Sequence, residues 1–281
     1  EQDSATTYVP SIDTFTSRQS NATYVDSAGL VKTSYRNYVT NTDFSSSWAF
    51  TRVSNGIETT PNPFGITESI TKVSINSVGA AYFFQNTGNV GGTISIYAKA
   101  GTIDKVCLVG QETNANNSEA ASFDLSNGTI QATYNNATAS IEDVGNGWYR
   151  LSVSSNGLVN YLLVNPHDQE SPTFSGAGRV QSSSGNGSIY IYGPQLVDST
   201  TEAGEFTHNF GTTKSGAPRY SHDPETLTPT GLYLEPAATN YHTNSQTWNG
   251  WVGNNTTITL NAGTAPDGTN TAARFAANLT S

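Results

Sequence analysis

The chain has 281 residues, a net charge of −10 and a pI near 4.7, and its 12 Lys and Arg residues are scattered. This charge argues against a nucleic-acid partner, because phosphate binding needs clustered basic residues. No apolar run approaches the roughly 20 residues that span a bilayer, so we expect no membrane insertion. Only 35% of the residues are apolar and 12% are charged. The excess of Asn, Ser, Thr and Gly is typical of turn-rich β-structure, and recurring apolar alternation argues against disorder.

The two ends of the chain resemble parts of its middle. Asn37-Tyr-Val-Thr-Asn41 recurs as Asn240-Tyr-His-Thr-Asn244, an offset of 203 residues (240 − 37). Pro63 and Gly65 have counterparts at the same offset, at 266 and 268. A weaker match relates Asp3-Ser-Ala-Thr6 to residues 198–201. These matches indicate that one structural module is repeated along the chain.

Five segments follow from the repeats and the composition. We predict that residues 1–13 are the C-terminal tail of a preceding module and that 14–36 are a linker. Residues 37–197 are predicted to form one complete module, and 198–239 a Gly/Pro-rich linker that stays extended and outside sheets. Residues 240–281 would begin a second, incomplete module. An incomplete sandwich cannot bury its own apolar face, so the terminal pieces are expected to pack on the central module, on a neighbouring chain or on further residues.

Short apolar-alternating runs separated by Gly and Asn turns predict many β-strands in the complete module. Asn127-Gly128 and Asn146-Gly147 are strong tight-turn signals. No stretch sustains helical periodicity. We therefore predict an all-β fold, an antiparallel two-sheet jelly-roll sandwich, in tandem modules with extended linkers. The predicted strands are 48–54, 70–75, 80–85, 93–99, 104–110, 119–125, 129–134, 138–144, 148–155, 159–164 and 187–197.

Several strings also resemble a known family. Gly145-Asn-Gly-Trp-Tyr-Arg-Leu-Ser-Val153, Ser188-Ile-Tyr-Ile-Tyr-Gly-Pro-Gln-Leu196 and residues 92–101 resemble strands of carbohydrate-binding-module-like jelly-roll domains in bacteriophage tail and fibre proteins. Residues 218–240 resemble the linker before such modules, and 265–275 resemble their early segment.

The resemblance implies a virion structural protein, such as a tail fibre, a spike or another surface appendage, at the virion surface or otherwise extracellular. It implies a homo-oligomer, with a trimer expected, and other virion proteins as partners. A host surface glycan is considered as a further partner, although the resemblance does not itself imply sugar binding, because many such domains are spacers. Two alternatives stay open. One is a carbohydrate-binding module of a secreted bacterial enzyme or adhesin, and the other is a filament or surface-layer subunit.

We expect no enzymatic activity. Glycoside cleavage needs two carboxylates about 5–10 Å apart around a sugar. Glu142 and Asp143 are adjacent in a strand and so face opposite ways, and Asp168 and Glu170 lie in a Pro-flanked loop. No nucleophile elbow or phosphate-binding loop occurs. Cys107 lies in an apolar run and is predicted to be a buried, inert thiol.

Exposed aromatic faces could stack on sugar rings, with amide or carboxylate groups bonding the hydroxyls. The predicted glycan-binding residues are Tyr190, Tyr192, Tyr82 and Gln195, whereas Trp148 is predicted to be core. No cofactor is expected. A structural calcium ion stays open by resemblance, although no Asp-x-Asp-x-Asp-Gly loop occurs. Its candidate acids are Asp43, Asp104, Glu112, Asp124, Asp143 and Asp168.

Overall fold

The computed structural model describes residues 22–25, 28–44, 46–181, 183–204, 206, 220–232 and 254–278. These residues belong to two compact units. The larger unit contains the described residues from Tyr35 to Phe206, and the smaller contains those in 22–34, 220–232 and 254–278. No helix in the described ranges is long and apolar enough to cross a bilayer. The helical content there is a single 3-10 turn at Ala115–Asn117.

Within the described residues, the regular elements apart from this turn are β-strands. In chain order they are β1 (Ala22–Val25), β2 (Val31–Ser34), β3 (Ala49–Thr51), β4 (Val53–Pro61), β5 (Thr67–Ile75), β6 (Tyr82–Ala100), β7 (Lys105–Gln111), β8 (Glu119–Asp124), β9 (Thr129–Tyr134), β10 (Thr138–Gly145), β11 (Trp148–His167), β12 (Ser188–Val197), β13 (Tyr220–His222), β14 (Pro229–Leu232), β15 (Thr256–Gly263) and β16 (Ala272–Ala277).

The larger unit is a β-sandwich whose two layers share their longest strands. The first layer has the order β4-β5-β12-β6-β11-β10, and the second has the order β3-β6-β11-β7-β8-β9. All the pairings are antiparallel. One core cluster takes its side chains from both layers, so the apolar faces of the layers pack against each other.

The strands β6 and β11 pass from one layer to the other through one-residue shifts. Phe83 and Ile94 of β6 both lie in the core cluster although they are 11 residues apart (94 − 83). In β11, Leu151 and Leu162 also lie in this cluster and are also 11 residues apart (162 − 151). In a regular strand an odd spacing would place such residues on opposite faces. Irregular pairing of β11 between 155 and 161, and a positive φ of 62° at Asn89, mark where the faces switch.

An aromatic group fills one end of the core. The ring of Phe83 lies 5.9 Å from Phe44, 5.6 Å from Trp48 and 5.8 Å from Phe50, centroid to centroid. The indole N–H of Trp48 donates to the carbonyl of Asn41 at 2.7 Å, so this polar group is satisfied inside the core.

The smaller unit contains three hairpins, and the third resembles the first hairpin of the sandwich. In the β4–β5 turn, the Gly65 N–H donates to the Asn62 carbonyl at 3.0 Å and φ of Gly65 is 81°. In the β15–β16 turn, 203 residues later (268 − 65), the Gly268 N–H donates to the Ala265 carbonyl at 2.9 Å and φ is 84°. Both turns therefore need a residue that tolerates the left-handed region. The module boundaries stay a prediction.

The all-β, antiparallel fold class is confirmed, while the jelly-roll connectivity stays a prediction. Strand limits differ in several places, and β4 continues to Pro61, beyond the end of the predicted run 48–54. The predicted runs 80–85 and 93–99 form the single strand β6, and 148–155 and 159–164 form β11, because the Gly and Asn residues between them make bulges instead of loops. The run 48–54 is divided by Arg52, whose φ is 56°. The predicted linkers 14–36 and 198–239 contain the pairs β1–β2 and β13–β14.

Candidate functional site

The outer face of the first layer carries an aromatic surface. Along β12, Ile189 and Ile191 point into the core between the layers, so alternation directs Tyr190 and Tyr192 to the opposite face. There they belong to a second cluster, whose fully buried centre includes Trp148. Its other members are Ile70, Tyr97, Val144 and Phe206.

Tyr190 lies between two lysines in the ladder. Its register partners are Lys72 on β5 and Lys99 on β6. The Tyr190 hydroxyl donates to Glu58 Oε1 at 2.8 Å, and Lys72 Nζ lies 3.0 Å from Glu58 Oε2 and 5.4 Å from the centroid of the tyrosine ring. These contacts hold the ring in one orientation while leaving it partly exposed.

The charges around Tyr190 agree with this arrangement. The hydrogen bonds from Lys72 and then Tyr190 lower the pKa of Glu58, so this carboxylate is ionised at neutral pH. Partial burial, followed by the hydrogen bond to Glu58, raises the pKa of the Tyr190 phenol, which therefore stays protonated and keeps its donor.

The next position along the face is more covered. Tyr192 pairs with Tyr97, and Phe64 packs edge-on against both rings at centroid distances of 6.2 and 5.6 Å. Phe206 packs against the same two rings at 5.7 and 6.1 Å. Phe64 itself is 57% exposed. It lies in the β4–β5 turn, and the indole N–H of Trp148 donates to the carbonyl of Pro61, the last residue of β4, at 2.9 Å.

Gln195 is covered by the chain that follows β12. Its side chain is 1% exposed, and its amide Nε2 donates to the Ala203 carbonyl at 2.5 Å. Arg150 also donates to the carbonyls of Ala203 and Gly204. The segment around Ala203 therefore closes this end of the face, and the Gln195 amide does not point to solvent.

Tyr82 lies on a different surface from Tyr190 and Tyr192. It packs in a cluster on the outer side of the second layer, with Phe84 6.2 Å away. The Arg179 guanidinium stacks 4.4 Å from the centroid of its ring and donates to its hydroxyl at 3.1 Å. The structure thus brings together Tyr190, Tyr192 and the covered Gln195 but not Tyr82.

Sequence reasoning missed four residues of this face, three of which contact or pair with Tyr190. Glu58, Lys72 and Lys99 reach it only through strand pairing, which the sequence does not reveal. The sequence did contain a local indication for Phe64. Asn62-Pro-Phe-Gly65 is a turn sequence, and an aromatic residue in a turn is not placed in the core by strand alternation. We call Glu58, Phe64, Lys72, Lys99 and Tyr190 the tyrosine shelf.

A buried Ser–His pair lies elsewhere, in the second layer. Ser122 Oγ is 2.9 Å from His167 Nε2, and His167 Nδ1 accepts from the Gln169 N–H at 3.2 Å. The ring proton is therefore on Nε2 and is donated to Ser122, whose own hydroxyl donates to Gln131 Oε1 at 2.7 Å. Ser122 and His167 are both fully buried, so the pair forms a structural hydrogen-bond chain.

Two of the candidate calcium ligands converge on a lysine. The ammonium of the buried Lys105 lies 2.9 Å from Asp104, 3.8 Å from Asp124 and 2.9 Å from Glu170. Although burial lowers the pKa of Lys105, hydrogen bonds to Asp104 and Glu170 outweigh it and raise the pKa above its usual value. The lysine thus supplies the positive charge here. In the part of the chain that the structure describes, no three His, Cys, Asp or Glu side chains form a metal-ion site.

The thiol of Cys107 should not react while the protein is folded. The side chain is fully buried, its Sγ lies 3.5 Å from the Gly178 carbonyl, and burial raises the thiol pKa well above its usual value. We expect a disulfide reagent that releases a coloured thiolate to label no thiol in the native protein and one in guanidinium chloride. Rapid labelling of the native protein would show that the strand β7 opens readily.

No family model matches the chain, and no curated protein matches it. A search of solved structures finds the enzymatically active domain of bacteriophage CBA120 tailspike protein 4, at a TM-score of 0.31 and 19% identity, covering 57% of this chain and 21% of that one. It also finds a carbohydrate-binding module of the β-sandwich superfamily, at a TM-score of 0.31 and 11% identity, covering 59% of this chain and 66% of that one. The chain therefore spans less than two thirds of either structure.

Proposed function

We propose that this chain is a non-enzymatic structural protein of a bacteriophage virion surface, as part of a tail fibre, spike or other appendage, and that its sandwich contacts host surface glycans. The observation that carries the glycan contact is the tyrosine shelf, where Glu58 and Lys72 fix the partly exposed ring of Tyr190 on the face where the exposed Phe64 packs against Tyr192. Aromatic faces bind the apolar faces of pyranose rings, and a ring already held in place loses little entropy on binding.

The virion assignment is supported by the strings that resemble phage tail and fibre modules. The acidic, Asn- and Thr-rich composition also suits a protein that must stay soluble outside the cell and away from its own DNA. We propose a homo-oligomer, with a trimer expected, and no cofactor. A structural calcium ion remains an open alternative.

The glycan contact is tested by a glycan array probed with the full chain and with Tyr190→Ala. We expect the intact chain to bind a subset of glycans and the variant to bind them about tenfold more weakly or not at all, because the stacking ring is lost. Tyr161→Ala is the matched control, since Tyr161 packs against Phe84 on the outer side of the second layer.

Two results would contradict the proposal. If the intact chain binds no glycan, or if Tyr190→Ala binds as well as the intact chain, the shelf is not a glycan site. Release of reducing ends from polysaccharides incubated with the chain would overturn the non-enzymatic part. Tyr82→Ala in the same array tests the remaining predicted residue, and we expect unchanged binding because Arg179 covers its ring.

A further inference from the structure

We propose that the tyrosine shelf selects acidic saccharides, with the Lys99 ammonium binding the carboxylate of a uronic or sialic acid. This inference rests on the glycan contact proposed above and adds the class of sugar. It follows from the different surroundings of the two lysines that flank Tyr190.

Lys72 is already neutralised. Its ammonium lies 3.0 Å from Glu58, whose other carboxylate oxygen accepts the Tyr190 hydroxyl. The side chains of Lys72 and Glu58 are 34% and 46% exposed, so this pair is a solvated element of the rim that orients the ring. It contributes no net charge to the shelf.

Lys99 has a different environment. Its register neighbours on the two sides are Tyr190 and Trp148, so its stem lies between two aromatic positions. A Cβ added to Gly147 would lie 3.6 Å from Lys99 Cε, which shows that the side chain runs along the β10–β11 turn. Among the described residues, the ion pairs of the structure join Lys72 and Lys105 to acids and do not include Lys99.

Around Tyr190 the shelf therefore carries one positive charge in excess, from one acid (Glu58) and two lysines (Lys72 and Lys99), on a chain whose net charge is −10. The further carboxylate of this face, Glu68, lies at the Phe64 end and accepts from the Asn62 amide. A chain of this net charge repels anionic polymers over most of its surface, because like charges interact at distances up to the Debye length of about 8 Å. A local cation beside a stacking ring reverses this preference at one place. A neutral sugar would gain nothing from Lys99, whereas a ring carboxylate would gain a charge-assisted hydrogen bond.

The test uses two pairs of probes that differ in charge. One pair is trigalacturonic acid and its fully methyl-esterified form, and the other is sialyllactose and lactose. Calorimetric titration of the full chain should show the acidic member of at least one pair binding about tenfold more tightly than its neutral partner. This preference should fall as salt is added, because the screening length shortens.

Lys99→Gln should abolish the preference by weakening acidic binding to the neutral level, while neutral binding is kept. Lys32→Gln, which removes the same charge from β2, is the matched control and should leave the preference unchanged. Equal affinity for acidic and neutral members in the intact chain would overturn this inference while leaving the glycan contact standing. A preference that survives in Lys99→Gln would also overturn it. Failure to bind any probe or any array glycan would instead contradict the proposed function.

Discussion

Replacing Phe83 by alanine should lower the free energy of unfolding by about 3–5 kcal/mol, the range for deleting a large buried aromatic side chain. Phe83 is 0% exposed and contacts the rings of Phe44, Trp48 and Phe50. It also lies on β6, so the cavity would open beside a strand that contributes to both layers. Urea unfolding followed by tryptophan fluorescence and far-ultraviolet circular dichroism measures the change.

Phe64→Ala is the matched control, since it removes the same side chain from a position that is 57% exposed. We expect a loss of less than about 1 kcal/mol, because most of this ring is already in water and leaves little cavity. If both variants lose similar stability, the Phe83 cluster is not a tightly packed part of the core.

Acid should destabilise the protein through His167. Burial, the largest cause, lowers the pKa of this fully buried imidazole to about 4, whereas an unfolded histidine has a pKa near 6.5. Above pH 6.5 the ring is neutral in both states and has no effect. As the pH falls from 6.5 to about 4, the unfolded chain takes up a proton that the folded chain does not.

The free energy of unfolding should therefore fall with a slope approaching 1.4 kcal/mol per pH unit, for a total of about 3 kcal/mol across this window. Urea unfolding at a series of pH values measures the slope. In His167→Gln it should be shallower, because glutamine does not titrate. Asp124 and Asp168 have lowered pKa values, so their losses occur at more acidic pH. An identical slope in the variant would show that His167 is not responsible.

The sequence predicted the positions of most strands, but it did not predict which neighbouring runs form one continuous strand. Alternation placed β12 within one residue of its observed limits, and the Asn146-Gly147 turn joins β10 to β11 as expected. The Gly and Asn residues at the bulges of β6 and β11 predict loops, because Gly and Asn are common in bulges and in loops alike. After a bulge the chain resumes pairing in the same sheet, whereas after a loop it need not. Which of the two occurs depends on the neighbouring strands with which the chain pairs.

The candidate site shows the same division. Alternation correctly sent Tyr190 and Tyr192 to the face opposite Ile189, and it placed Trp148 in a buried position. It could not show that the chain around Ala203 would cover Gln195, because the residues that follow β12 have no apolar alternation that predicts how they fold back.

The sequence by itself determined that this is an antiparallel β-protein and which side chains share a face within each run of strand that has no bulge, because a regular strand directs its residues by a period of two. Only the tertiary structure decided which strands are neighbours. It therefore also decided that Lys72 and Lys99 flank Tyr190 and that Arg179 covers Tyr82. The physical reason is that cross-strand neighbours, unlike neighbours along a strand, are set by packing between segments that are far apart in the chain.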